Sequence, residues 1–286
     1  MRAHTLRALI NSCLSGDIDG HYPLGVFVRK MTVGAALLGS LALASLLPGG
    51  AQADTVGTID PGSFQITGGG GAGNAVVLGV SAQRTITVKL SASDNSGISV
   101  ADFTLYHGTS LQKADAVLKS SESAPTCTAT GTSTVCTRHF TISPKRDLRN
   151  ALAGIWKVAV NIRAKDGEIF DGNGYTTFFM QRASRLTTNA SPEPVTKGKT
   201  LTVTGKLSRA NWDSHDYRGY ADQRGVLQFR RPGTDYYETL GSTQTNSTGV
   251  LTAKVTASRD SYWRYNFTGT MTTPAVMATG DYVDVR

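Results

Sequence analysis

Apolar residues in the stretch RTITVKLSA (84–92) fall on every second position, with Ile86, Val88 and Leu90 alternating against Thr and Lys. Period two sends successive side chains to opposite faces of a strand, so this segment predicts a half-buried β-strand that stops at the turn cluster SDNSG. IWKVAVNIRA (155–164) repeats the pattern through Trp156, Val158, Val160 and Ile162, and DGEIFDGNG (166–174) then supplies turn chemistry twice. After Arg182 the spacing resets. ASRLTTNASPEP (183–194) reads as an extended crossover with two prolines, and a fresh series of alternating segments follows at 200–208, 226–231, 250–258, 261–269 and 281–286. No long segment has a 3.6-residue period. Short alternating strands separated by Gly, Asn and Asp turns predict an all-β chain of antiparallel sandwiches, with a boundary at residues 183–186. The glycine run TGGGGAGNA (67–75) follows a short strand, GSFQITG, and precedes strand-like VVLGVSAQ. Glycines that cradle phosphate need a helix after them, so this run reads as a loop.

The start of the chain changes the compartment. Arg29-Lys30 precede an apolar run (32–47), which leads through Pro48-Gly49-Gly50 to Ala51-Gln52-Ala53. This is the layout of a secretory signal peptide with cleavage expected after Ala53. The run is shorter than the ~18 to 20 apolar residues that span a bilayer. Residues 1–27 lack the features of a leader, so translation from Val28 is the better expectation, and Cys13 then falls outside the mature chain. A lipoprotein leader needs Cys directly after cleavage, where Asp54 stands. The organisation expected is therefore residues 1–53 as extension plus leader, 54–182 as a first sandwich and 183–286 as a second, in a secreted, extracellular, monomeric protein with no membrane association after cleavage.

Two cysteines, Cys127 and Cys136, remain beyond Ala53. In an oxidising compartment pairing is the default outcome. A zinc site would need two further ligands with His139 the one candidate, and redox chemistry would want C-x-x-C spacing. A staple across a threonine-rich hairpin is the favoured reading.

The chain carries 29 Lys and Arg against 21 Asp and Glu; four of the former and two of the latter lie in residues 1–53, leaving a net charge of +6 beyond them. These charges are spread singly. Lys145, Arg146 and Arg149 form the densest patch, too sparse for nucleic-acid binding, so the charge supports weak attraction to an anionic cell-wall polymer or extracellular polysaccharide.

Phrases of the second half are specific. NASPEPVTKGKTLTVTGKLSRANW (189–212) and YWRYNFTGTMTTPAVMATGDYVDVR (262–286) resemble a C-terminal module of secreted actinobacterial proteins, mostly of unknown function and sometimes labelled calcium-binding. The PTCTAT loop and AGIWKVAV (153–160) resemble the variable N-terminal partner of that module. The resemblance implies a pair of immunoglobulin-like sandwiches, an exported chain and no enzymatic motif.

Calcium takes six to eight oxygens, several of them carboxylates. Asp166, Glu168, Asp171 and Asn173 are the candidate ligands, with Asp94 and Asn95 in another turn that could lie nearby; their spacing departs from the EF-hand loop. Asp-Gly and Asn-Gly pairs are first of all turn formers. Carbohydrate stacking has its best candidates in NWDSHDYRGY (211–220), at Trp212, Tyr217 and Tyr220, although Trp212 would equally cap a sandwich. Trp263, Tyr265 and Phe267 share one strand face and read as core. Only His107, His139 and His215 remain beyond the leader, without G-x-S-x-G or H-E-x-x-H text. His215 between Asp213 and Asp216 mimics a base with its orienter, but the three are crowded on one polar loop. A non-catalytic, cofactor-free binding or envelope-associated structural module is the function expected, with calcium binding or a carbohydrate-binding accessory role as alternatives.

Overall fold

A computed structural model describes residues 58–286 of the chain. The expected leader, the expected cleavage after Ala53 and the expected extension before it lie outside the described residues. No helix among those described is long and apolar enough to cross a membrane.

The first half forms nine strands: β1 Asp60–Thr67, β2 Val76–Leu78, β3 Arg84–Ser93, β4 Ile98–Gly108, β5 Ala114–Leu118, β6 Thr126–Thr130, β7 Ser133–Ile142, β8 Gly154–Ala164 and β9 Ile169–Arg182. They pair as one sheet in the order β1-β3-β7-β6 and another in the order β2-β9-β8-β4-β5. The alternation in β3 buries Ile86, Val88 and Leu90, and that in β8 buries Trp156, Val158, Val160 and Ile162. These two inner faces close one core, in which Phe103 of β4 meets Phe140 of β7 at 6.2 Å between ring centroids. Trp156 donates its indole N–H to the Leu152 carbonyl at 2.8 Å, so its one polar atom is satisfied inside that core.

The second half supplies β10 Ser184–Ser191, β11 Thr200–Asn211, β12 Asp216–Gly219, β13 Arg224–Arg230, β14 Glu238–Gln244, β15 Val250–Thr256, β16 Ser261–Phe267, β17 Val276–Met277 and β18 Asp281–Val283. One sheet runs β10-β11-β12 with β15 also on β11; the other runs β14-β13-β16-β17 with β18 also on β16. Trp263, Tyr265 and Phe267 turn inward from β16 onto Leu201, Val203 and Leu207 of β11. Gly205 makes that approach feasible, because a Cβ there would stand 2.6 Å from the Tyr265 ring. The Tyr265 hydroxyl donates to the Val203 carbonyl, and burial pushes its pKa up to about 12.

The all-β, two-sandwich expectation therefore holds. Three local readings are corrected. Residues 183–194 are not a crossover: β10 pairs with β11 from Ser184↔Arg209 to Ser191↔Thr202, and only Pro192 and Pro194, both after cis bonds, end the strand. The second turn expected in 166–174 is a bulge within β9, where the pairing with β8 skips from Val158↔Thr176 to Ala159↔Asn173. One pairing between the named strands is parallel, β2 on β9, as is the isolated bridge Val195–Val285.

Cys127 and Cys136 face each other directly across β6 and β7 and are joined in a disulfide. All five residues of β6 are exposed, so this strand has almost no core to hold it, and the covalent link stands in for burial.

Candidate functional site

Three carboxylates converge at one end of the first sandwich. Asp94 stands just past β3, while Asp166 and Glu168 stand in the turn from β8 to β9, and each presents an oxygen within 4.8 Å of the others. Local hydrogen bonds bring the two turns together. Lys165 N–H donates to the Gly97 carbonyl at 2.8 Å, and Asp166 N–H donates to Ser96 Oγ at 3.2 Å. Asp94 is buried; its Oδ1 accepts from Ser96 N–H at 2.8 Å and from the Ser96 hydroxyl at 2.5 Å, and its Oδ2 accepts from the Thr58 hydroxyl. The bonds from Ser96 and then Thr58 hold the Asp94 carboxyl below the usual aspartate range, against the opposing effect of burial. Glu168 Oε2 accepts from Thr58 N–H at 2.9 Å. In donor type and charge the trio fits a hard divalent cation, with Asn95 Oδ1 close by at 3.4 Å from Thr58 Oγ. Thr58 occupies the space between Asp94 and Glu168, so the carboxylates also act as the anchor for the start of β1.

Asp171 and Asn173 do not join this group. Strand parity separates them. Phe170 points to the core side of β9, whereas Asp171 and Asn173 lie on the opposite, solvent-facing side. Asp171 accepts from Asn161 Nδ2. Asn173 Oδ1 accepts from the Tyr106 hydroxyl at 2.7 Å, and its Nδ2 donates to Gln112 Oε1 at 3.2 Å. Both line a separate open cleft of about 370 Å³ with Asp102 and Asn161. The four-residue calcium set expected from the sequence is thus split, with Asp166 and Glu168 meeting Asp94 instead.

The ligand surface expected at Trp212, Tyr217 and Tyr220 is not presented. Trp212 is fully buried within the core of the first sandwich, although its chain position belongs to the second, and its indole N–H donates to the Gly79 carbonyl at 3.0 Å. The Arg185 guanidinium covers the Tyr217 ring at 3.6 Å and the Arg209 guanidinium covers Tyr220 at 3.7 Å. Trp212 and Tyr217 build the junction between the sandwiches, whereas Tyr220 packs on the second core, 5.9 Å from Phe267 between ring centroids.

The histidines are tied to surface acids: His107 Nδ1 lies 2.6 Å from Asp115, and His139 Nδ1 lies 2.7 Å from Glu122. Neither acid flanking His215 orients it, because Asp213 accepts from Asn150 and Asp216 accepts from Ser214 and Arg218.

A further cleft, of about 440 Å³, lies where the sandwiches meet, lined by Lys145, Arg146, Asp147, Leu148, Arg149, Trp212, Asp213 and His215. The sequence signals only one wall of it, the Lys145-Arg146-Arg149 patch. The other wall comes from residues more than sixty positions away.

No family model and no curated protein matches the chain. Among solved structures it is similar to dimeric latent PorU from Porphyromonas gingivalis, at 14% identity and a TM-score of 0.27, covering 82% of this chain but 21% of that one. It is also similar to the D00-D0 domain of Intimin, at 12% identity over 77% of this chain and 99% of that one, with a TM-score of 0.27. A third similarity is to three N-terminal domains of the bacteriophage RB49 outer capsid protein Hoc, at 10% identity over 80% and 70% of the two chains, with a TM-score of 0.30.

Proposed function

We propose that this protein is a non-catalytic binding or structural module of the cell exterior, held to anionic envelope material by its dispersed positive charge. The locked junction carries this reading: Trp212 of the second sandwich is sealed into the core of the first, which makes a stiff two-sandwich spacer. The net positive charge then favours a polyanionic surface. Purified protein mixed with a cell-wall preparation is expected to bind at about 0.05 M NaCl and to dissociate as salt approaches about 0.5 M, where screening shortens the reach of surface charge to a few Å. Binding that ignores salt, or no binding at low salt, sinks the reading.

The convergence of Asp94, Asp166 and Glu168 favours a second reading, calcium binding at the end of the first sandwich. A cation that binds only the folded state raises its stability in proportion to ln(1 + [L]/Kd). Millimolar calcium is then expected to raise Tm in the wild type and in Asp171→Ala, and to leave Asp94→Asn unchanged. A flat response in the wild type excludes the site.

A further inference from the structure

We propose that the cleft between the sandwiches binds a phosphate-class oxyanion. Three of its eight lining residues, Lys145, Arg146 and Arg149, are cationic and His215 adds an imidazole, against two acids. Both acids are already committed. Asp147 receives a two-pronged contact from Arg146, through Nε at 2.8 Å and a terminal nitrogen at 2.9 Å, and also accepts from Ser143 N–H. Asp213 accepts from the backbone N–H and the side-chain amide of Asn150.

Lys145 and Arg149, by contrast, have no carboxylate partner among the described ion pairs. The lining thus carries three full cations against two carboxylates, with Lys145 and Arg149 outside the described ion pairs, a balance that suits an oxyanion. The walls are fixed before any ligand arrives. Asn150 bonds to Asn211 Oδ1 at 2.7 Å and accepts from Trp212 N–H at 2.9 Å, which ties the Arg149 wall to the His215 wall. A recess held open by such contacts loses little freedom when it binds, which favours affinity.

The inference deepens the reading of the protein as a binder of anionic envelope material, and rests on it for the origin of the ligand. Calorimetric titration of the full chain at constant ionic strength, with inorganic phosphate, polyphosphate and polygalacturonate in separate arms, tests it. Saturable binding of phosphate or polyphosphate is expected, weakened at least about tenfold in Lys145→Gln/Arg149→Gln and retained in Lys119→Gln/Arg231→Gln, which removes equal charge elsewhere. Inorganic phosphate binding as well as polyphosphate, per phosphate, identifies a free ligand; binding by polyphosphate alone identifies a polymeric one. The proposal is overturned by an absence of saturable binding, by equal loss in both double variants, or by equally tight polygalacturonate binding. Wall binding that survives while phosphate binding is absent overturns this site and leaves the proposed function standing. Cleft-dependent phosphate binding in a protein without wall affinity does the reverse.

Discussion

Asp94 shows how much of one residue's role comes from neighbours distant in the chain. Its own turn is legible in SDNSG, since Asx side chains accept from the N–H two residues on, as Ser96 N–H donates here. Its meeting with Glu168 depends on two sheets closing at one end, and parity decides which acid of 166–174 arrives. The bulge in β9 is invisible in a stretch whose Asp-Gly and Asn-Gly pairs fit a turn equally well, so the sequence alone groups Asp171 and Asn173 with acids they do not meet. A carboxyl whose pKa is lowered on folding adds stability above its unfolded pKa, and that contribution disappears as pH falls through the folded value. Asp94, Glu122 and Asp216 are all lowered by hydrogen bonds they accept in the folded state. Stability is therefore expected to decline on acidification below about pH 4, where aspartate ordinarily titrates. Asp94→Asn keeps the acceptor oxygen for Ser96 and should flatten that acid limb without abolishing it. Thermal melts across pH 2.5 to about 6 measure this, and an unchanged acid slope in the variant refutes the assignment.

At the level of elements, the alternating runs were legible because a buried face leaves a period-two imprint: β3, β8, β11 and β16 stand where the pattern puts them. Elements without such an imprint were not. Strand β14 is mostly exposed and leaves no apolar rhythm, and the two prolines directly behind β10 give that strand the look of a crossover. Strand β6 is the extreme case, with no buried residue, and its cysteine is the only sign that it belongs to the sheet. The Cys127–Cys136 bond should therefore act locally. Closing a loop of this size contributes about 2 to 3 kcal/mol in the chain-entropy model. Cys127→Ser/Cys136→Ser is expected to lose amide protection in 126–130 while β3 keeps its own, as read by hydrogen exchange. Uniform loss across both sheets would show that the bond supports the whole sandwich.

On the scale of the molecule, the junction decides whether two sandwiches behave as one body. Domains joined by a short chain segment move relative to each other unless a large apolar contact holds them. Trp212 supplies an apolar contact, and polar bonds add to it: Gln181 Nε2 donates to the Thr270 carbonyl at 3.0 Å, Arg182 N–H to the Thr272 carbonyl at 2.9 Å, and Arg182 Nε to the Ala210 carbonyl at 2.6 Å. Burial lowers the Arg182 pKa to about 10, so it still carries its charge at neutral pH, and the carbonyl it meets helps retain it there. The two halves are accordingly expected to unfold in one calorimetric transition, with the calorimetric and van't Hoff enthalpies equal. Trp212→Ala removes the largest buried side chain at the junction, a change that costs about 3 to 5 kcal/mol in well-packed cores. Because the lost contact belongs to both halves, the variant should melt in two resolved transitions, the first sandwich moving to lower temperature. Trp212→Phe keeps most of the apolar burial and loses the bond to Gly79, worth about 1 kcal/mol, so it should keep a single transition at a slightly lower Tm. Two transitions already present in the wild type would show that the halves fold independently and would remove the stiff junction on which the proposed spacer role depends.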